Sequence, residues 1–286
     1  MNIINRRQNE NSNLKYLFGK QHFFDKSSNS YLLSVILLFV SFVIDTFLFV
    51  LRNDLSETFT NILLITAILL GILAAFPGYL SKEYAKKGAD YLDLFESKVF
   101  GINRISKSNI KTLENDLKDL INEHKDLFEA RCTNNGDEKG YKYKNWFEGI
   151  TEESKNNAII QCQRQCLSWS SAMFLINSVF LSVCVLLFVI LLFLIFINCK
   201  LANFFLFILT NITGVISLTT MIINIIKKYT LAKKISKELD LLQKCKARYF
   251  VNHIEKELYS YRCLPTLTLS FAYFATYKRK HIEDTR

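Results

Sequence analysis

Four long blocks of apolar residues alternate with charged segments along this chain of 286 residues. The blocks run from about Tyr31 to Leu51, Phe59 to Leu80, Ala172 to Ile197 and Leu201 to Ile226. Each is long enough to cross a bilayer, because a spanning helix needs about 20 apolar residues at a rise of about 1.5 Å each. A soluble core helix would explain one such block but not four. We therefore predict an all-α integral membrane protein with four transmembrane helices.

The apolar periodicity continues from the blocks into the charged segments. The second block is expected to continue as a helix to Phe100, and the fourth until Pro265 ends it. Thr151, which two glutamates follow, is typical of a helix start and leads towards the third block. We therefore predict a helical cytoplasmic bundle formed largely by extensions of the spans. The supporting positions are Tyr84, Leu92, Phe95 and Val99 after the second block, and Ile235, Leu239, Leu242 and Tyr249 after the fourth.

A separate helix is predicted in the central segment, where apolar residues recur at steps of three and four. Ser108 is its expected N-cap. His124 falls on the apolar face, where a packed histidine is favoured over a ligand. The face consists of Ile110, Leu113, Leu117, Leu120, His124 and Leu127.

The Lys and Arg residues predict the orientation of the chain. Each short connection between paired blocks holds one basic residue, Arg52 or Lys200, and all the others lie in the remaining polar segments. Because basic segments stay on the cytoplasmic side, both termini and the central segment are expected there. The predicted domains are a cytoplasmic N-terminal segment 1–30, a transmembrane hairpin 31–80, a cytoplasmic helical region 81–171, a second hairpin 172–226 and a basic cytoplasmic helical region 227–286.

Composition narrows the candidate chemistry. No common catalytic or cofactor-binding motif is present, so we expect neither an enzyme nor a cofactor. The basic residues that indicate the orientation account for most of the net charge of +10. The charge is therefore a weak indication of a nucleic acid partner, and no basic-aromatic module for binding a nucleic acid polymer is visible. Cys162 and Cys166 have a spacing that two zinc ligands on a helix could use, but no second Cys or His pair accompanies them. A packing role is therefore favoured and no metal site is expected.

One face of the fourth block is polar from end to end. Lipid cannot satisfy such groups, so this face should meet water or protein. Uncharged hydroxyl and amide groups can line a pore and bind ions weakly enough to release them. The same groups can instead bond to neighbouring helices. The six pore-lining candidates here are Asn203, Thr210, Thr213, Ser217, Thr220 and Asn224.

The first two blocks carry further features. Asp45 is the one acidic residue well inside a block, and it is either a seventh pore-lining candidate or the partner of another span. Ala67, Gly71 and Ala75 form a small-residue seam for close helix packing. A kink is expected at Pro77-Gly78. Because four spans leave little room for a channel, a pore would require a homo-oligomer.

Two short motifs resemble those of the SMODS-associated four-transmembrane effector family. The opening Ile4-Asn5-Arg6-Arg7-Gln8-Asn9 is similar to its I-x-x-R-Q-N element. Asn145-Trp146-Phe147, with Cys162-Gln163-Arg164 and Trp169, is similar to its N/D-W-Y/F and C-Q-R-x-N-L-x-W elements. The chain departs from the family at Cys166, where Asn is usual, and at Gly19-Lys20-Gln21, where Ala-Gln-Arg is expected.

The resemblance implies a pore-forming effector of bacterial antiphage defence in the inner membrane. Such a protein would be opened or assembled by a cyclic oligonucleotide from a neighbouring nucleotidyltransferase, and would then permeabilise the membrane. Arg or Lys for phosphate and aromatic rings for bases suit that ligand. The tryptophans could equally be interfacial anchors. The ligand-binding candidates are Arg7, Gln8, Asn9, Trp146, Gln163, Arg164 and Trp169.

Two other functions remain compatible with the sequence. One is a small ion channel or transporter unrelated to defence, although no clear internal repeat is visible. The other is a membrane scaffold whose helical bundle binds a protein partner.

Overall fold

The computed structural model describes residues 3–51, 55–102, 106–132, 143, 145–147, 149–150, 154–197, 207, 212–245 and 251–265. Within these ranges the chain is helical and contains no strand, which confirms the all-α class. The helices are α1 (Ile3–Arg7), α2 (Asn11–Leu51), α3 (Glu57–Leu73), α4 (Ala75–Phe100), α5 (Lys107–Glu123), α6 (Lys125–Cys132), α7 (Lys155–Phe196), α8 (Ile212–Cys245) and α9 (Val251–Arg262).

Three helical stretches are long and apolar enough to cross a membrane. They are Asn11–Leu51, Glu57–Phe100, which joins α3 to α4, and Lys155–Leu187 within α7. These correspond to the first three predicted spans. The predicted fourth span is described in part, at Phe207 and from Ile212 onwards in α8.

The chain divides into two compact units. The polar unit comprises Met1–Lys26, Glu83–Ser171 and Thr230–Leu264. The membrane unit comprises Ser27–Lys82 and Ala172–Tyr229 and, among the later described residues, Pro265. Helices α2, α4, α7 and α8 each contribute residues to both units. The predicted helical extensions are confirmed, except that the fourth block does not continue as one helix to Pro265. Helix α8 is described to Cys245, and α9 packs back on it, with Lys234 paired to Glu257. Tyr249 lies outside the described residues.

Three serines fasten α2 to α3 and α4 in the membrane unit. Ser34 and Ser41 donate hydrogen bonds to the backbone oxygens of Ala74 and Ala67, at 2.7 and 2.8 Å. Seven residues earlier, Ser27 donates to the Ser81 backbone oxygen at 2.8 Å, and Ser81 returns a bond of the same length. Donors and acceptors both recur at steps of seven but run in opposite directions, as an antiparallel helix pair requires. We call this set the serine ladder.

The small-residue seam shifts by one residue at the junction of α3 and α4. Ala67 and Gly71 are buried as predicted, but Ala75 is exposed and Ala74 is buried in its place. Around a helix the seventh residue after Ala67 lies about 20° from it and the eighth about 80°, so Ala74 stays on the buried face. The predicted kink interrupts the helix at Ala74 rather than at Pro77. Proline has no N–H for the carbonyl four residues back and clashes with it, so the break falls just before its own turn.

The polar unit contains two apolar clusters. The larger cluster is built from α1, the start of α2, α4, α5, the loop around Phe147 and the start of α7. The Phe147 ring lies there against Phe95 and Phe100, with ring centroids 6.1 and 5.5 Å away. In the smaller cluster α7, α8 and α9 pack together through Ile160, Leu167, Ala232, Ile235, Leu239, Leu242, Ile254, Leu258 and Tyr261.

Three sequence predictions for the polar unit need correction. Ser106, not Ser108, caps α5, and its hydroxyl accepts the Asn109 N–H. The predicted single helix breaks at His124, so Leu127 is exposed and the next residue, Phe128, packs on the larger cluster instead. Helix α7 begins at Lys155, where the Ser154 hydroxyl accepts the Asn157 N–H, and Thr151 lies outside the described residues. Ser108 has a suitable side chain, but the chain enters α5 two residues earlier.

The serine ladder predicts a stability difference between two hydroxyl positions. Ser34→Leu would remove the bond to Ala74 and force a large side chain towards Gly78, where even an added Cβ would lie 3.2 Å from the Ser34 hydroxyl. We expect a loss of about 1–3 kcal/mol in the free energy of unfolding in detergent micelles. The control is Thr66→Leu, because Thr66 is half-buried and its hydroxyl bonds the Ile62 carbonyl of its own helix. Equal losses in the two variants would contradict the ladder.

Candidate functional site

Gln8 joins the first motif to the second. Its amide oxygen accepts the Phe147 N–H at 2.8 Å, and its amide nitrogen donates to the Phe147 carbonyl at 3.1 Å. The Gln8 side chain is 1% exposed, so both bonds are shielded from water. The residue satisfies a buried stretch of loop backbone that lacks helix or sheet partners. Gln8 therefore holds the segment that follows α1 to the loop that precedes α7, and we call its paired hydrogen bonds with Phe147 the clasp.

Asn9 and Arg7 bind on either side of this clasp. Asn9 exchanges two hydrogen bonds with Asn145, at 2.8 Å from its side-chain nitrogen and 2.7 Å to its side-chain oxygen. Asn145 has a φ of 54°, a left-handed conformation that asparagine tolerates. The Arg7 guanidinium lies over Gly101, where an added Cβ would approach its Nη1 to 2.6 Å. The φ of 64° at Gly101 is a left-handed conformation that favours glycine.

A fully buried ion pair connects α4 to α9. The Glu96 carboxylate, 0% exposed, accepts two bonds from Arg262 at 2.7 and 3.0 Å. Gln163 on α7 donates to Glu96 at 2.9 Å and accepts from Arg262 at 3.1 Å. Burial opposes the positive charge, but the Glu96 carboxylate outweighs it and raises the pKa of Arg262. We call these three residues the buried triad.

Lys20 and Trp146 lie beside the triad. The Lys20 ammonium is 4.3 Å from the centroid of the Trp146 ring, a cation–π contact. The Trp146 N–H is buried beside the Cys166 thiol of α7, which is its hydrogen-bond partner. Burial lowers the pKa of Lys20 to about 8. Trp146 therefore presents one ring face to a cation of the protein itself.

The other motif residues are less closely grouped. Arg164 forms an ion pair with Asp240 of α8. Trp169, further along α7, is half-buried. The clasp thus brings Gln8 and Asn9 next to the loop that carries Trp146. Gln163 belongs to the buried triad, beside which Trp146 lies, whereas Arg164 is paired with α8.

The cysteines of α7 have the environment of packed thiols. Cys162 is fully buried and Cys166 partly buried, and both are free. Burial raises the pKa of Cys166 to about 11 and that of Cys162 further still. Such thiols remain protonated at neutral pH and are poor metal ligands. In the described residues no group of three or more His, Cys, Asp or Glu side chains is placed to hold a metal ion.

The pore-lining candidates are only partly within the described residues. Thr220 is exposed and its hydroxyl bonds the Ile216 carbonyl of the same helix at 2.9 Å, while Asn224 is half-buried. Asp45 is 7% exposed within the membrane unit. Thr213 and Ser217 lie on α8, but their side chains are outside the described set. Asn203 and Thr210 lie outside the described residues altogether.

Sequence reasoning missed three residues of this site: Lys20, Glu96 and Arg262. A usable signal existed for Glu96, because an acid stands on the α4 face that Leu92 and Val99 also occupy. Its partner Arg262 is 166 residues away and no local pattern points to it.

The clasp predicts unequal costs for two neighbouring substitutions. Gln8→Leu keeps the volume but leaves the buried N–H and C=O of Phe147 without partners, so we expect a loss of at least about 2 kcal/mol in the free energy of unfolding. Asn9→Leu breaks exposed bonds and should cost under about 1 kcal/mol. Chemical denaturation in detergent measures both. If Gln8→Leu were as stable as the unmodified chain, a ligand-binding role for this side chain would replace the clasp.

The buried triad predicts that two substitutions together cost less than one alone. Arg262→Met strands the Glu96 carboxylate and should cost about 3–5 kcal/mol. Adding Glu96→Leu removes the stranded charge and should recover part of that loss. Lys125→Met serves as the control, because the Lys125–Glu129 pair is exposed and should contribute under about 0.5 kcal/mol. Thermal unfolding of the single and double variants measures these losses. Strictly additive losses would contradict an energetic coupling between Glu96 and Arg262.

Comparison with known proteins places this arrangement in a family. The family model described as the SMODS-associating 4TM effector domain matches residues 2–284, nearly the whole chain. No curated protein matches the chain, and no solved structure does. The match covers the clasp, the buried triad and all the membrane helices. The chain belongs to the SMODS-associating 4TM effector domain family.

Proposed function

We propose that this protein is a pore-forming effector of bacterial antiphage defence, opened or assembled by a cyclic oligonucleotide. The description of the family as a SMODS-associating effector domain supports the assignment to antiphage signalling. The signal would come from a neighbouring nucleotidyltransferase and would bind the polar unit. The termini and the polar unit would then face the cytoplasm, and the spans would cross the inner membrane.

One observation carries the pore-forming part of this proposal. Only 7% of the most apolar window of Lys155–Leu187 is buried within a single chain. Exposed residues along that helix include Leu175, Val179, Val183, Leu186 and Leu187. A helix so little covered by its own chain is available to lipid and to further copies of the protein. A ring of copies is what a chain with few spans needs in order to surround water.

The polar face of α8 supports the same proposal. Thr220 is exposed in the single chain. The residues beside it on the helix surface, Ile216 and Ile223, are also exposed but apolar. A hydroxyl on an otherwise apolar surface fits a face that meets water once copies gather. Asn224, one turn further on, is half-buried.

The continuity of α7 supports a route from signal to pore. Gln163 of the buried triad lies near the start of this helix, and the same helix continues into the third span. A ligand that moved the triad would therefore act on a helix that also lies in the membrane.

Dye leakage from liposomes tests the proposal. Purified protein should release dye only after a cyclic oligonucleotide is added from a panel of cyclic di- and trinucleotides. The triple variant Asn203→Leu, Ser217→Leu and Asn224→Leu should insert normally but release little dye, because its conduit would lose the polar groups that replace ion hydration.

A matched control replaces apolar residues of the same helix. Ile216→Leu, Ile222→Leu and Ile226→Leu change exposed positions on α8 while preserving their hydrophobicity. This control should leak like the unmodified protein. Full leakage from the Asn203, Ser217 and Asn224 variant would assign the polar face to helix packing and remove the pore from the proposal.

A further inference from the structure

The Lys20 ammonium is a cation that lacks a carboxylate partner in the described part of the chain. It lies over the rings of Trp146 at 4.3 Å and Phe24 at 5.8 Å, and no salt bridge or hydrogen bond from it is present among the described residues. Aromatic faces attract a cation but cannot accept its three protons as oxygen atoms do. A methionine would fill the same space without the cost of desolvating a charge. The ammonium therefore has unused hydrogen-bonding capacity.

The acidic groups near Lys20 are already engaged. Glu96 accepts both bonds from Arg262 and one from Gln163. Asp25, on the same helix as Lys20, accepts a bond of 2.7 Å from the Gln21 amide. The charged and titratable groups around the ammonium are thus Arg262 on α9, Glu96 on α4, Asp25 on α2 and Cys166 on α7.

The Lys20 ammonium lies beside the triad without a direct ion pair among the described residues. Arg262 and Glu96 neutralise each other, and Asp25, the other acid near Lys20, is bonded to the Gln21 amide, so the ammonium keeps donors for an anion that comes within bonding distance. Both Lys20 and Trp146 are partly exposed, which gives an anion access from solvent.

We infer that Lys20, with Trp146 beneath it, is the binding site for one phosphodiester group. This inference rests on the proposed function and deepens it, because a cyclic oligonucleotide carries such groups. The ammonium donates charge-assisted hydrogen bonds to the phosphodiester oxygens. The ring face of Trp146 that holds the ammonium is occupied, so at this point the protein recognises phosphate and does not stack a base on that face.

The site has a pH signature. Because burial lowers the pKa of free Lys20 to about 8, the charged form that binds an anion is present below that pH and is lost above it. A bound anion raises the pKa of the ammonium, so affinity should fall about tenfold between pH 7 and pH 9. An arginine at this position would stay charged throughout and abolish the pH dependence.

Thermal unfolding of the full-length protein with defined probes tests the site. The probes are inorganic phosphate, a panel of cyclic di- and trinucleotides, and nanodiscs of phosphatidylcholine with or without phosphatidylglycerol. A ligand that binds the folded state raises its melting temperature. We expect a cyclic oligonucleotide to raise the melting temperature of the unmodified protein and of Lys20→Arg, but not that of Lys20→Met.

Two controls separate binding from folding. Lys20→Met should melt no lower than the unmodified protein without probe, because it removes a partly buried charge that forms no salt bridge among the described residues. Lys26→Met changes another lysine of α2, exposed and 5.9 Å from the Tyr84 ring, and should respond to probes normally. A lower melting temperature for Lys20→Met together with an unchanged probe response would assign Lys20 to packing and overturn the site.

The remaining outcomes distinguish this site from the proposed function. A Lys20-dependent response to phosphatidylglycerol alone would keep the phosphodiester site, assign it to lipid and count against the soluble signal. Lys20-dependent binding without dye leakage would keep the site and remove the pore. Ligand-triggered leakage that Lys20→Met leaves unchanged would keep the pore and overturn the site, as would no Lys20-dependent response to any probe.

Discussion

Backbone hydrogen bonding in lipid is the constraint from which this architecture follows. An apolar segment in a bilayer cannot leave its N–H and C=O groups unpaired, so it must remain helical across the whole span. Here the helices do not end where the apolar run ends: α2 and α7 extend over 41 and 42 residues. The same helices therefore build both units, and the polar unit needs few elements of its own. A displacement at the polar end of such a helix has no intervening loop to absorb it.

The same constraint explains how polar side chains are used. In the membrane unit, Ser34 and Ser41 donate to carbonyls of the facing helix, which satisfies their hydroxyls and fixes the register of the pair. In the polar unit, Gln8 replaces the missing secondary-structure partners of a loop, and Glu96 is matched by Arg262. Groups that are fully matched in this way stabilise structure. A group with unused capacity, such as the Lys20 ammonium, is where a ligand would contribute most.

Local periodicity made most of the helices predictable, and the errors arose where a single residue decides between neighbours. The buried small residue is Ala74 and not Ala75, because the residue seven positions after Ala67 stays closer to its helix face than the eighth does. The sequence around Ser106 and Ser108 offers two suitable caps, and only the path of the chain selects one. The pairing of Gln8 with Phe147, across 139 residues, could not be read from any local pattern.

The two motifs that carry the family resemblance describe the fold of the polar unit more directly than they describe a ligand. Gln8 and Asn9 of the first motif are bonded to Phe147 and Asn145 of the second, and Gln163 completes the buried triad. Side chains committed to such contacts cannot turn towards a ligand without unfolding the loop they support. At the proposed phosphodiester site the charge comes from Lys20, which lies outside the motifs, and only the ring beneath it, Trp146, belongs to one. Lys20 stands in Gly19-Lys20-Gln21, where the chain departs from the element expected of the family. A position that supplies charge without supporting the fold is free to differ between relatives, and that is where we expect the choice of signal to be made.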